Sequence, residues 1–192
     1  MGFCGEGWLH LRRCAVVLLV AVAPAFAQRS AIDLEGRATN PLNGDSGKVT
    51  VLIFIRTDCP VSSRYAPTIQ KIANQYASAA RFWLVYPDKA ETSQSVQKYL
   101  TEYGYHLAAL RDPDHVLVKQ GHVQITPEIA VFDRNGRLTY DGRIDDWYIS
   151  LQQARPAPTS HELEDAIRLA TLGKRMAPRE VRGVGCYISD LD

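Results

Sequence analysis

The apolar and β-branched run Val49-Thr50-Val51-Leu52-Ile53-Phe54-Ile55 stops three polar residues short of Cys59-Pro60, where helical spacing begins. Such a run has the pattern of a strand buried on both faces. From Pro60 to about Tyr76, the residues Tyr65, Ile69, Ile72 and Ala73 fall on one helical face. Pro60 suits the first turn, where its missing N–H leaves no bond unmade, and Pro67 inside the helix predicts a kink. This junction puts Cys59 at a helix N-terminus, where unpaired backbone N–H groups favour an anion. A thiol so placed loses its proton more readily, and the thiolate is the nucleophile.

The remaining pattern alternates in the same way. Arg81 to Tyr86 reads as a second buried strand, and Thr92 to Tyr103 as a helix with Val96, Tyr99 and Leu100 inward. Leu107 to Leu110 predicts a short strand and Val116 to Gly121 a short helix. Glu128 to Phe132 follows Thr126-Pro127 as a strand, turns at Asp133-Arg134-Asn135-Gly136, and returns over Leu138 to Gly142. Thr159 and Glu162 form a capping-box pattern for a last helix ending near Leu172, with Gly173 as its stop. These elements predict an α/β sandwich with a mixed sheet, whose early strands are parallel through right-handed crossovers and whose late hairpin supplies antiparallel edge strands.

The first 27 residues form a separate unit. Arg12-Arg13, an uncharged run from Cys14, and Pro24-Ala25-Phe26-Ala27 describe a secretory signal peptide cleaved before Gln28. The run is too short to span a bilayer comfortably, so no stable membrane insertion is expected after cleavage. The domain order predicted is a signal peptide (1–27), an N-terminal extension (28–48), a core domain (49–172) and an irregular tail (173–192) carrying Cys186. Twenty-two Lys and Arg against 21 Asp and Glu leave a net charge of +1, with no long basic run, which argues against nucleic acid as a partner. Cys4 and Cys14 leave with the signal, so Cys59 and Cys186 are the pair an oxidising compartment, periplasmic or extracellular, would act on.

The strand–helix order with Cys59 at its first junction resembles the thioredoxin-like fold. Thioredoxins carry Cys-x-x-Cys and a proline eight residues after the first cysteine, and Pro67 stands at that spacing from Cys59. They also place a cis proline before the hairpin, facing the active cysteine, and Thr126-Pro127 fits that position. The extra helix before Thr126 resembles the larger redoxins of the alkyl-hydroperoxide-reductase and thiol-specific-antioxidant group. Gly142 to Asp146 and Gly185-Cys186 are similar to exported bacterial redoxin-domain proteins. The chain departs from each subfamily at one position. Ser62 replaces the second thioredoxin cysteine, Arg56 stands where peroxiredoxins have threonine, and Ser63 stands where copper-delivery relatives have their second cysteine.

The resemblance implies a catalytic set of Cys59, Cys186, Ser62 and Pro127. Cys59 attacks a disulfide, Ser62 donates a hydrogen bond to the thiolate, and Pro127 fixes the backbone facing it. Pro60 and Thr126 would contact substrate, Thr126 by pairing its backbone with a substrate chain. A lone active cysteine is trapped as a mixed disulfide unless a second thiol attacks. Cys186 is the candidate, provided the two Cα atoms come within about 7 Å; otherwise it is a free thiol or pairs with another protein. Arg56 would favour ionisation of Cys59 and Asp58 oppose it. Asp145 and Asp146 read as turn or cap residues, with a paired-carboxylate site as the alternative, and Arg143 as a surface residue. His115 and His122 with Cys59 are a weak pattern for copper or zinc, and no cofactor or metal is expected. The partner is therefore a thiol or disulfide protein, or a peroxide if Cys59 forms a sulfenic acid. A non-catalytic binding or metal-delivery module using Cys59 as a ligand is the remaining reading.

Overall fold

A computed structural model describes residues 30–43, 47–177, 182–189 and 191. Residues 1–27, expected to be a signal peptide, lie outside the described residues, as do parts of the extension and of the tail. The sheet-forming strands are β1 (Ile32–Asp33), β2 (Val49–Phe54), β3 (Ala80–Tyr86), β4 (Ala108–Arg111), β6 (Glu128–Phe132) and β7 (Leu138–Gly142). Between β4 and β6 lie the helix α3 (Val116–Gly121) and a two-residue strand, β5 (Ile125–Thr126). The sheet order is β1-β4-β3-β2-β6-β7. Strands β2, β3 and β4 are parallel; β6 runs antiparallel to β2 and pairs on its other side with β7.

This arrangement corrects one expectation. β6 is not an edge strand; it lies between β2 and β7, and all five of its residues are buried. Only β7 supplies an edge. The opposite edge is closed by β1 from the N-terminal extension, which pairs antiparallel with β4.

Side-chain alternation along β2 divides the core into two layers, because successive residues face opposite sides of a sheet. Val49, Val51 and Ile53 pack with Tyr65 and Ile69 of α1 (Pro60–Gln75), Val96 and Tyr99 of α2 (Ser93–Glu102), and Leu163 and Ile167 of α4 (Glu162–Thr171). Leu52 and Phe54 face the other way, onto Leu117 and Val118 of α3. α3 approaches so closely that a Cβ on Gly121 would stand 2.9 Å from the Ala130 Cβ.

Helix α1 runs unbroken with Pro67 in its interior and Pro60 in its first turn. Thr92 caps α2, accepting from the Ser95 N–H while the Ser95 hydroxyl accepts from Thr92. α4 starts differently from the sequence expectation. Its N-cap is His161, and Thr159 does not cap it. The Thr159 hydroxyl and N–H both donate to Asp146, and Glu162 accepts from Arg143 and Ser160. A carboxylate from the preceding loop thus takes the threonine that the capping pattern assigned to the helix.

The tail is also more ordered than its composition suggests. Cys186–Tyr187 form a strand, β10, antiparallel to β5. Ile188 is buried on the α3 side of the sheet, and its N–H donates to the Gln124 carbonyl. A short hairpin of β8 (Tyr148–Ser150) and β9 (Gln153–Ala154) completes the elements.

Candidate functional site

Cys59 is the N-cap residue of α1, with extended backbone (φ −90°, ψ 112°), and it is fully buried. Three segments converge on its sulfur. From α1 come the first-turn N–H groups of Val61 and Ser62 and the Ser62 hydroxyl. From β5 comes the Thr126 carbonyl, which accepts from the Cys59 thiol at 3.3 Å. From β10 comes Cys186, whose thiol donates to the Cys59 sulfur at 2.9 Å. Both cysteines are free thiols.

The two thiols titrate in opposite directions. Burial raises the pKa of Cys59. The Cys186 thiol, the backbone N–H and hydroxyl of Ser62 and the Val61 N–H lower it by more, and the net direction is down. These are donors aimed at an anion, as expected where a helix N-terminus leaves its first N–H groups unpaired. Cys186 is pushed up to about 12 by burial and then by its hydrogen bond to, and the charge of, Cys59; Arg56 opposes this and Asp58 adds to it. The pair therefore carries its negative charge on Cys59 and its proton on Cys186.

Ser62 is fully buried, and its hydroxyl has no hydrogen-bond partner among the described residues while Cys59 is a thiol. A buried hydroxyl without a partner carries a desolvation penalty. Here the hydroxyl lies where the Cys59 thiolate can recruit it.

Thr126-Pro127 is a cis peptide bond, and both residues are buried. Pro60 is exposed beside the site. The structure thus brings Cys59, Ser62, Thr126 and Cys186 together, with Pro127 following Thr126 and Pro60 at the rim. Arg56 also takes a part in the tail that the sequence did not foretell. Its guanidinium pairs with Asp58 and Asp88 and donates to the Tyr187 carbonyl at 3.3 Å, so it ties down β10, and its charge favours ionisation of Cys186. Glu91, unremarked in the sequence, is buried and accepts the Thr57 N–H at 2.8 Å, fixing the loop that leads into Cys59. Its only sequence signal is an acidic residue just ahead of the Thr92 cap.

Other candidates have structural partners. Arg143 binds the buried Glu162 and Ser160. Asp145 accepts from the Tyr65 hydroxyl and the Trp147 N–H, whereas Asp146 serves Thr159, Ser160 and Arg155, so the two carboxylates do not form a joint site. His115 binds the Pro87 carbonyl through Nε2, and His122 is exposed. Among the described residues no group of three or more His, Cys, Asp or Glu could hold a metal. No helix among them is long and apolar enough to cross a membrane.

Comparison with known proteins agrees with this architecture. A family model described as thioredoxin-like matches residues 47–138. A hypothetical protein from Sinorhizobium meliloti superposes with a TM-score of 0.67 at 24% identity, covering 82% of this chain and 88% of its own. An uncharacterized conserved protein from Geobacillus kaustophilus gives 0.67 at 22% identity, covering 83% and 86%. A secreted Mycobacterium tuberculosis disulfide oxidoreductase, homologous to E. coli DsbE, gives 0.50 at 19% identity, covering 75% and 94%. A search of curated proteins found no match. Strand order, the cis proline beside the buried cysteine and these likenesses agree: the chain has the thioredoxin-like fold.

Proposed function

We propose that this protein is an exported thiol–disulfide oxidoreductase in which Cys59 is the nucleophile and Cys186 the resolving thiol. The observation that carries this reading is the 2.9 Å approach of the two sulfurs. A disulfide needs about 2.05 Å, so a small side-chain adjustment would join them. The secreted disulfide oxidoreductase of similar fold supports the chemistry and the export.

The Cys59 thiolate attacks one sulfur of a partner disulfide. A Cys59–partner disulfide forms, the partner's S–S bond breaks, and its other sulfur leaves with the electron pair and takes up a proton. Cys186 then loses its proton, and its thiolate attacks the Cys59 sulfur. The Cys59–Cys186 bond forms and the second partner sulfur leaves as a thiol. Two electrons have passed to the partner, and an external dithiol must restore the pair; run in reverse, the same steps oxidise a dithiol.

The electrostatics order these steps. Part of what holds the proton on Cys186 is the hydrogen bond to, and charge of, Cys59. Once Cys59 is consumed in the mixed disulfide that charge is gone, while Arg56 still favours the Cys186 thiolate. Resolution is thereby suppressed before capture and released after it. Ser62 supports only the first step, because a hydroxyl cannot form the disulfide that a cysteine at its position would.

The test is reduction of a model protein disulfide by wild type, Cys59→Ser and Cys186→Ser. Loss of activity in Cys59→Ser together with accumulation of a mixed disulfide in Cys186→Ser is expected. A Cys186→Ser protein that turns over as fast as wild type, with no trapped complex, would refute the resolving role. Sulfenic acid forming at Cys59 faster with peroxide than exchange with disulfides would assign the site to peroxide reduction instead.

A further inference from the structure

The strand edge beside the cis proline is already occupied, and by the chain itself. β10 pairs antiparallel with β5 so that Cys186 stands opposite Thr126 and Tyr187 opposite Ile125. The Thr126 hydroxyl donates to the Cys186 carbonyl and Arg56 to the Tyr187 carbonyl, both at 3.3 Å. These contacts are made to main-chain atoms, so another extended chain could receive them. The Tyr187 side chain is 78% exposed, so its identity matters little to the pairing.

One position is strict. A Cβ on Gly185 would lie 1.9 Å from the Thr126 carbonyl oxygen and 2.7 Å from its carbon. Both are backbone atoms beside a buried proline and cannot swing aside as a side-chain end could. Glycine before the cysteine is therefore what lets the strand come close enough for its sulfur to reach Cys59.

The resemblance already implies that a substrate strand pairs with the backbone beside the cis proline; we infer that Gly185–Tyr187 is an internal stand-in for that strand, which a partner displaces, and that the partner strand bears cysteine immediately preceded by glycine. This rests on the exchange reading of Cys59. The tail has the advantage of tethering, with an effective concentration on the order of millimolar, but it holds only a two-residue strand. Its anchor, Ile188, sits on the opposite face of the sheet from α1. A partner that captures the edge delivers its own cysteine to Cys59; the tail's return delivers Cys186 and expels it.

The test uses the full chain with Cys186→Ser, so that capture is not followed by resolution. The probe is the peptide Val-Gly-Cys-Tyr-Ile with thionitrobenzoate on its cysteine. Attack by Cys59 joins it to the peptide and releases coloured thionitrobenzoate with the electron pair. Adding Gly185→Ala, or independently Ile188→Asp, unseats the tail and should speed capture at least tenfold. In either tail-released protein, the same peptide with alanine for glycine should be captured at least tenfold more slowly. Equal rates for the two peptides, or no acceleration in either variant, would overturn the inference. Hydroxyethyl disulfide, which needs no strand edge, reports Cys59 alone: labelling by it with equal peptide rates sinks the stand-in reading only, and no labelling of any variant sinks the exchange reading and the stand-in reading together.

Discussion

Replacing Ser62 by alanine should make Cys59 a weaker acid and the reduced protein more stable, a pairing of signs that simple loss of packing would not produce. The hydroxyl is fully buried and has no partner among the described residues when Cys59 is protonated. An unsatisfied buried polar group costs about 1–3 kcal/mol. Relieving that cost, less the small void left by one oxygen, should raise stability by about 1 kcal/mol at a pH where Cys59 is a thiol. Once the thiolate forms, the same hydroxyl donates to a charge. Hydrogen bonds to charged groups contribute about 1.5–3 kcal/mol, and each 1.36 kcal/mol is tenfold in an acid dissociation constant. Ser62→Ala should therefore lower the acid dissociation constant of Cys59 roughly 10- to 150-fold. The assay is the pH profile of alkylation read at the Cys59 peptide by mass spectrometry, in a Cys186→Ala background that removes the neighbouring donor. Urea unfolding of the reduced protein at a pH below the Cys59 midpoint found in that profile gives the stability arm. A midpoint that moves by less than twofold in the dissociation constant would refute the role given to the hydroxyl. Loss of stability with an unchanged midpoint would show that Ser62 merely fills space.

The other expectations concern the frame of the site. With the folded pKa of Cys186 pushed up to about 12 and a thiol in the unfolded chain near 8.5, the unfolded state ionises first. The reduced protein should lose stability from about pH 8.5 upward, and urea midpoints across that range should be flatter in Cys186→Ala. Asp112 is fully buried and accepts the N–H groups of Val116, Leu117 and Val118. Asp112→Ala should destabilise by about 3 kcal/mol, because it strands donors that water cannot reach, and a chemical denaturation curve unchanged within error would contradict this. Arg56→Met keeps bulk but removes the donor to the Tyr187 carbonyl, and it should slow closure of the Cys59–Cys186 disulfide several-fold in stopped-flow oxidation by glutathione disulfide. Unchanged closure would mean that β10 seats without it.

What could be foreseen divides by the range of the interaction. The run Val49–Phe54, the helix from Pro60, the exact span of α3 and the hairpin strands were legible because periodicity and turn chemistry act over a few residues. Cys59 and the cis proline were legible because both sit at junctions of such elements, where a short motif carries the geometry. The capping pattern at Thr159 failed because Asp146, from a loop 13 residues earlier, competes for the same hydroxyl. Local pattern cannot register a rival acceptor that only the fold brings near. The tail is the extreme case. Its two-residue strand is too short to carry a period, and Cys186 meets Cys59 across 127 residues. Elimination among the cysteines could nominate Cys186, but its approach depends on Gly185, which in the sequence is one more glycine in a polar stretch. Only against the Thr126 carbonyl does its missing Cβ acquire a purpose, since any side chain there would hold the second sulfur away from the first. The proposed nucleophile is thus written in a local motif, whereas its proposed resolving thiol depends on a contact between the two ends of the domain.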